Sequence, residues 1–112
     1  MQDCLFCKIV SGDIPSNKVY EDETVYAFTD VDPKAPVHVL IVPKAHMQDM
    51  TDAAAPEVSA AMFRAAKCIA RQMGLVERGF RCVINTGQDG GQSVPHLHMH
   101  LLGGRELGWP PG

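Results

Sequence analysis

The stretch Pro95-His96-Leu97-His98-Met99-His100-Leu101-Leu102 alternates imidazoles with apolar side chains. Successive residues of a strand point to opposite faces, so this alternation predicts a final strand over 96–102 with His96, His98 and His100 along one face, about 6.5–7 Å from one to the next. Leu97, Met99 and Leu101 then face a core, and His98 is expected on an exposed edge of the strand. Pro95 is tolerable as the first strand residue, where a missing N–H does least harm. Three of the five histidines of the chain within five positions make a chance arrangement a poor account. A polar strand face, a metal-binding tract and a reactive site remain open. Three side chains spaced by two along a flat strand converge awkwardly on one metal, although neighbouring pairs can share one.

Working outward, Gly103-Gly104 ends the strand, and a glycine-rich loop over 87–93 precedes it. Residues 80–85 read as another strand. A loop too short for a crossover helix means that the two pair antiparallel if they are neighbours. Upstream, Val58, Met62, Ala65, Ile69 and Met73 recur at three- and four-residue steps, predicting one long helix over 55–73 with a single buried stripe. Pro56 suits its first turn and Gly74 its C′ position. Residues 37–42 form a near-continuous β-branched run, the composition of a central strand. Residues 24–29 are β-branched and aromatic, and 18–21 pair with them across the turn Glu21-Asp22-Glu23. Residues 4–10 are read as a short helix stopped by Ser11-Gly12. The expected class is α+β: an antiparallel five-stranded sheet, one long helix and a short N-terminal helix, in a single domain over 1–112.

The chain has 112 residues, 46% hydrophobic and 21% charged, with a formal charge of −3. One core fits this length. No basic run is available to track a nucleic-acid backbone, so no nucleic-acid partner is expected; a single nucleotide is not excluded. No apolar run approaches the length of a membrane span, and MQDCLFCKIV lacks the basic and apolar regions of a signal peptide. The cytoplasm is the expected compartment, with no membrane partner.

The chemistry of the histidines follows from their two nitrogens. A neutral imidazole whose N–H is held by a carbonyl offers its other nitrogen as a nucleophile for phosphorus. A second, protonated imidazole can hold the non-bridging oxygens as charge develops. Glycines in the 87–93 loop, Gly91 beside Gln92 among them, would let main-chain N–H groups approach a phosphate.

His-Leu-His-Met-His-Leu-Leu resembles the signature of the histidine triad (HIT) superfamily. The flanks Gly-Gly-Gln-Ser-Val and Leu-Gly-Gly-Arg are similar to its HINT-like branch, as are Phe6-Cys7-Lys8-Ile9, Ile14-Pro15, Asp30 with Pro33, Ala35-Pro36-Val37-His38, Ile41-Val42-Pro43-Lys44 and Trp109-Pro110-Pro111-Gly112. The resemblance implies a HIT-like fold and a purine nucleoside phosphoramidase. Such an enzyme cleaves the P–N bond of a nucleoside 5′-phosphoramidate, of the AMP-amine or AMP-lysine type, through a nucleotidyl-histidine intermediate. It implies His98 as nucleophile, His100 on the phosphate oxygens, Ser93 on the leaving group and His38 behind the triad as orienting group. Asn85 would bind phosphate or the 5′ oxygen, and Asp30, with Val31 beside it, the ribose. Leu5, Phe6, Ile9 and Phe28 would form the purine slot, with Gly91 and Gln92 also counted as nucleotide-binding. It further implies a homodimer whose C-terminal tail, with Trp109, reaches toward the partner's site. Thr29 and Pro95 depart from the pattern of the best-known members, at positions more often histidine and aromatic. A dinucleoside polyphosphate hydrolase and a nucleotide- or zinc-binding interaction protein with vestigial hydrolysis are the competing readings.

Cys4-x-x-Cys7 is a zinc half-site, equally readable as two buried thiols or a redox pair. Relatives carrying it imply that His46 and His96 complete a closed Cys₂His₂ set. Such a zinc would be structural, and catalysis would require no cofactor. Cys68 and Cys82 are read as core residues.

Overall fold

A computed structural model describes residues 3–112. Its elements are α1 (Leu5–Ser11), β1 (Lys18–Glu21), β2 (Val25–Thr29), β3 (Val37–Pro43), α2 (Ala55–Gln72), β4 (Phe80–Val83) and β5 (Met99–Gly103). The strands form one antiparallel sheet in the order β1-β2-β3-β5-β4. This is the expected α+β architecture.

Local chemistry explains the element ends. Cys4 caps α1, its Sγ accepting the Cys7 N–H at 3.4 Å, and Gly12 closes the helix at φ +88°. Asp22 turns β1 into β2 by accepting the Thr24 and Val25 N–H groups at 2.8 and 2.9 Å. Pro56 lies in the first turn of α2, and Gly74 follows its end at φ +69°, a conformation that disfavours side chains.

Both faces of the sheet are covered, which accounts for the apolar run in β3. Val39 and Ile41 face α2 and pack with Met62, Ala65, Ile69 and Leu101. Leu40 and Val42 face the other way and pack with Phe6, Ile9 and Phe28. Fully burying each larger aliphatic side chain contributes about 1.5–3 kcal/mol, so α2 and β5 anchor one side of the sheet firmly. The α1 side holds the smaller cluster and leaves room beside it.

Three expectations change. The last strand begins at Met99 rather than His96. The His96 N–H turns back to the Val94 carbonyl at 2.8 Å and the Leu97 N–H goes to Met47 at 2.7 Å, so these donors are spent before the sheet ladder starts. Next, β5 lies between β3 and β4, and His98 is only 3% exposed; it does not sit on an exposed edge. Finally, Cys82 is exposed on the edge strand β4 and Cys68 is half-buried on α2. Neither belongs to the core, because their side chains fall at the margins of the packed faces. Leu97, Met99 and Leu101 are buried as expected.

Candidate active site and metal centre

On the α1 side, His98 and His100 approach with ring centroids 5.0 Å apart. His98 Nδ1 lies 2.7 Å from the His96 carbonyl. A carbonyl only accepts, so the proton sits on Nδ1 and the lone pair is left on Nε2. The edge of the ring packs against Phe6 at 5.0 Å between centroids.

A second relay sets His100. The Lys34 N–H donates to His38 Nδ1 at 3.0 Å, which leaves the His38 proton on Nε2. That N–H donates to His100 Nδ1 at 2.9 Å and lies 3.4 Å from Asp30 Oδ2. His100 therefore carries its proton on Nε2. Burial, chiefly, with the neighbouring His98 and His38, pushes His100 down to about 4. Burial also holds His38 below the usual histidine range, with Lys34 adding to the effect and Asp30 and Asp32 opposing it. His100 is thus a neutral N–H donor near pH 7, not the protonated imidazole expected.

Two cavities meet at these side chains. One, of about 510 Å³, is walled by Leu5, Phe6, Ile9, Phe28 and Leu40 and has Asp30, Val31, Ser93, His98 and His100 on its lining. The other, of about 490 Å³, is lined by Asp30, Asp32, Lys34, Asn85, Ser93, His100 and the tail residue Pro111. Asp30, Ser93 and His100 belong to both. Asp30 is already shaped for its place, its Oδ1 accepting the Asp32 N–H at 2.8 Å, and Val31 is fully exposed.

Gly91 and Gln92 line neither cavity. Their N–H groups donate inside the loop, to Gln88 at 3.1 Å and to Gly87 at 3.0 Å. The Gln92 side chain accepts from the Gly87 N–H at 3.0 Å and donates to the Gln48 and Val94 carbonyls at 2.7 and 3.0 Å. A Cβ on Gly90 would overlap the Thr86 carbonyl. The loop is braced by its own backbone, with Gln92 as the clasp, and it presents Ser93 to the cavities.

His96 points away from the other two. Its Nε2–H donates to the Pro43 carbonyl at 2.9 Å, which leaves a lone pair on Nδ1, 3.2 Å from Cys4 Sγ and 3.5 Å from Cys7 Sγ. His46 Nδ1 lies 3.3 Å from Cys7 Sγ. All four donor atoms fall within 4.8 Å of one another. Tetrahedral zinc with two sulfur and two nitrogen ligands spaces its donors by about 3.3–3.8 Å, and a carbonyl behind a ligating imidazole is the usual orienting partner. The Cys4, Cys7, His46 and His96 set is compatible with zinc.

Main-chain groups were beyond reach of residue-type reasoning: the Lys34 N–H and the carbonyls of Pro43 and His96 carry no side-chain signal. Leu40 and Val94, which also line the larger cavity, were readable only as strand and loop residues. Trp109 is 81% exposed, with the Arg81 guanidinium 5.9 Å from its ring centre.

The buried His98 and the half-buried His100 thus stand side by side on the wall of the larger cavity, and His100 reaches the second cavity as well. A model of the HIT domain matches residues 11–107, and the chain belongs to this family. A 14 kDa zinc-binding protein of Zea mays is 49% identical over 113 residues, covering 96% of this chain and 87% of the relative. A purine nucleoside phosphoramidase of Escherichia coli is 45% identical over 109 residues, covering 96% and 92%. The crystal structure of a HIT family hydrolase from Legionella pneumophila superposes with a TM-score of 0.94 at 47% identity, covering 98% of this chain and all of that one. No helix among the described residues is long and apolar enough to cross a membrane.

Proposed function

We propose that the protein hydrolyses purine nucleoside 5′-phosphoramidates, with His98 as the nucleophile. The observation that carries this reading is the 2.7 Å contact of His98 Nδ1 with the His96 carbonyl, which leaves the Nε2 lone pair free on a ring that lines the larger cavity. The apolar slot of Leu5, Phe6, Ile9 and Phe28 takes the base, and Asp30 and Val31 take the ribose. The phosphoryl group sits where Ser93 and His100 meet, with Asn85 on its oxygens. Gly91 and Gln92 contribute by shaping the loop that carries Ser93.

In the first step the Nε2 lone pair forms a bond to phosphorus and the P–N bond of the substrate breaks. The departing nitrogen keeps that electron pair and takes up a proton that comes from solvent, relayed through the Ser93 hydroxyl. His100 donates its Nε2–H to a non-bridging oxygen, a contact that strengthens as negative charge builds there. Water then attacks the nucleotidyl-histidine, its proton passes to solvent, and the P–N bond to His98 returns its pair to the imidazole. The nucleoside monophosphate is released.

The Cys4, Cys7, His46 and His96 set holds one structural zinc in this reading. Closed by four protein ligands, a zinc held there would serve as a brace rather than a source of activated water. Cysteine and histidine donors, and the name of the maize relative, support it. The protein works as a homodimer in the cytoplasm, where its four thiols stay reduced. The unpaired edge of β4 and the exposed Phe80, together with Phe63 on α2 at 69% exposure, support the dimer.

The test is turnover of a fluorogenic adenosine phosphoramidate. His98→Ala is expected to lose at least about a thousandfold in kcat, as loss of a nucleophile does. Turnover within tenfold of wild type would remove His98 from the mechanism.

A further inference from the structure

The tautomer of His100 depends on a loop, 30–36, that joins β2 to β3. Within it the Asp32 N–H bonds Asp30 Oδ1, and the Lys34 ammonium pairs with the Asp32 carboxylate at 2.6 Å. The Lys34 N–H must point at His38 Nδ1 for the relay to hold. The chain that leaves β5 contacts this loop. Arg105 Nη2 donates to the Lys34 carbonyl at 2.9 Å, and its Nη1 donates to the Glu106 carbonyl at 2.9 Å, which steadies the guanidinium. Beside it, Gly104 adopts φ +90°, and a Cβ there would stand 2.9 Å from Pro36 Cβ. The absence of a side chain at 104 lets the loop lie close enough for Arg105 to reach it.

We propose that Arg105 is a positioning residue for the reaction: by clamping the loop through the Lys34 carbonyl it fixes the tautomer of His38 and, through His38, that of His100. The arrangement closes on itself, because Arg105 lies five residues beyond His100 on the same segment. The last strand and the turn that leaves it thus supply both the imidazole and the cation that holds its orienting partner in place. His98 lies outside this relay, since the His96 carbonyl sets its proton. The catalytic consequence rests on the phosphoramidase reading; the tautomer assignment does not.

The experiment is ¹⁵N spectroscopy of imidazole-labelled protein without substrate, near pH 7.5. In wild type, His38 shows a bare Nδ1 and a protonated Nε2, as does His100, while His98 shows the reverse. In Arg105→Met the His38 and His100 signals move toward tautomer-averaged positions and those of His98 stay in place. Gly104→Ala, which strains the backbone at φ +90° beside Arg105 and crowds Pro36, produces the same pattern, and Arg105→Lys, which keeps a cation able to reach the carbonyl, moves the signals back toward wild type. Phosphoramidate kcat falls about fivefold in Arg105→Met, the effect of losing about one hydrogen bond's worth of positioning. Unchanged His38 and His100 signals in both Arg105→Met and Gly104→Ala, or equal movement of His98, would overturn the proposal. Absent turnover in wild type would instead count against the phosphoramidase reading and leave the nitrogen result to stand by itself.

Discussion

Acid stability offers a direct measure of how the site holds His100. Burial pushes this imidazole from 6.5 down to about 4. Above pH 6.5 both folded and unfolded chains carry it neutral, and its contribution to stability is fully present. Between 6.5 and about 4 the unfolded chain binds a proton that the folded chain refuses, so stability falls as the pH falls; below about 4 both forms are protonated and the loss levels off. At pH 5 the linkage amounts to about 2 kcal/mol at most, since solvent at the ring edge screens part of it. His100→Gln keeps an acceptor for the His38 N–H and removes the titration. Urea midpoints at pH 8 and pH 5, converted with a common slope, are expected to show wild type losing about 1–2 kcal/mol more than His100→Gln over that interval. Groups remote from His100 titrate alike in both proteins and cancel in the comparison. Parallel losses would refute the argument that burial in the relay with His38 holds His100 neutral. The same neutrality gives the site its function in the proposed reaction, because an N–H donor aimed at a phosphoryl oxygen strengthens as charge develops.

Two further outcomes test the proposed assembly. Protein purified without chelator is expected to carry about one zinc per chain, and Cys4→Ser/Cys7→Ser to carry none; metal-free wild type would retire the zinc reading. The double variant also loosens α1, whose cap is Cys4 and whose Phe6 walls the base slot, so its KM is expected to rise. Light scattering at micromolar concentration should return a mass near twice the 12.2 kDa of one chain, and a monomer mass would exclude the dimer.

Much of the fold was legible because its signals are local. The three- and four-residue recurrence from Val58 to Met73 marks α2 to within a residue, and the β-branched run from Val37 marks β3. The turn acid Asp22 and the stop at Gly12 also act over a few residues. The start of β5 was not legible. His96 and His98 alternate with apolar neighbours just as strand residues do, but their backbone neighbourhood is set by Met47 and Val94. Cys82 was misread for a related reason: its residue type suits a core, while its strand is the last in the sheet.

Residue identity alone carried the histidine triad and the Cys-x-x-Cys pair, since each is a pattern of side-chain types at short spacing, while the apolar slot came only through the family resemblance. Tertiary structure decided which imidazole does what. His96 lies two residues from His98, yet Pro43, 53 positions away in sequence, and the Cys4 thiol hold its ring toward the Cys4, Cys7 and His46 donors. His100 lies two residues beyond His98, yet His38 and the Lys34 N–H choose its proton position and burial keeps it neutral. A tautomer and a pKa are properties of the groups that surround a ring, and those groups arrive from distant parts of the chain only when it folds.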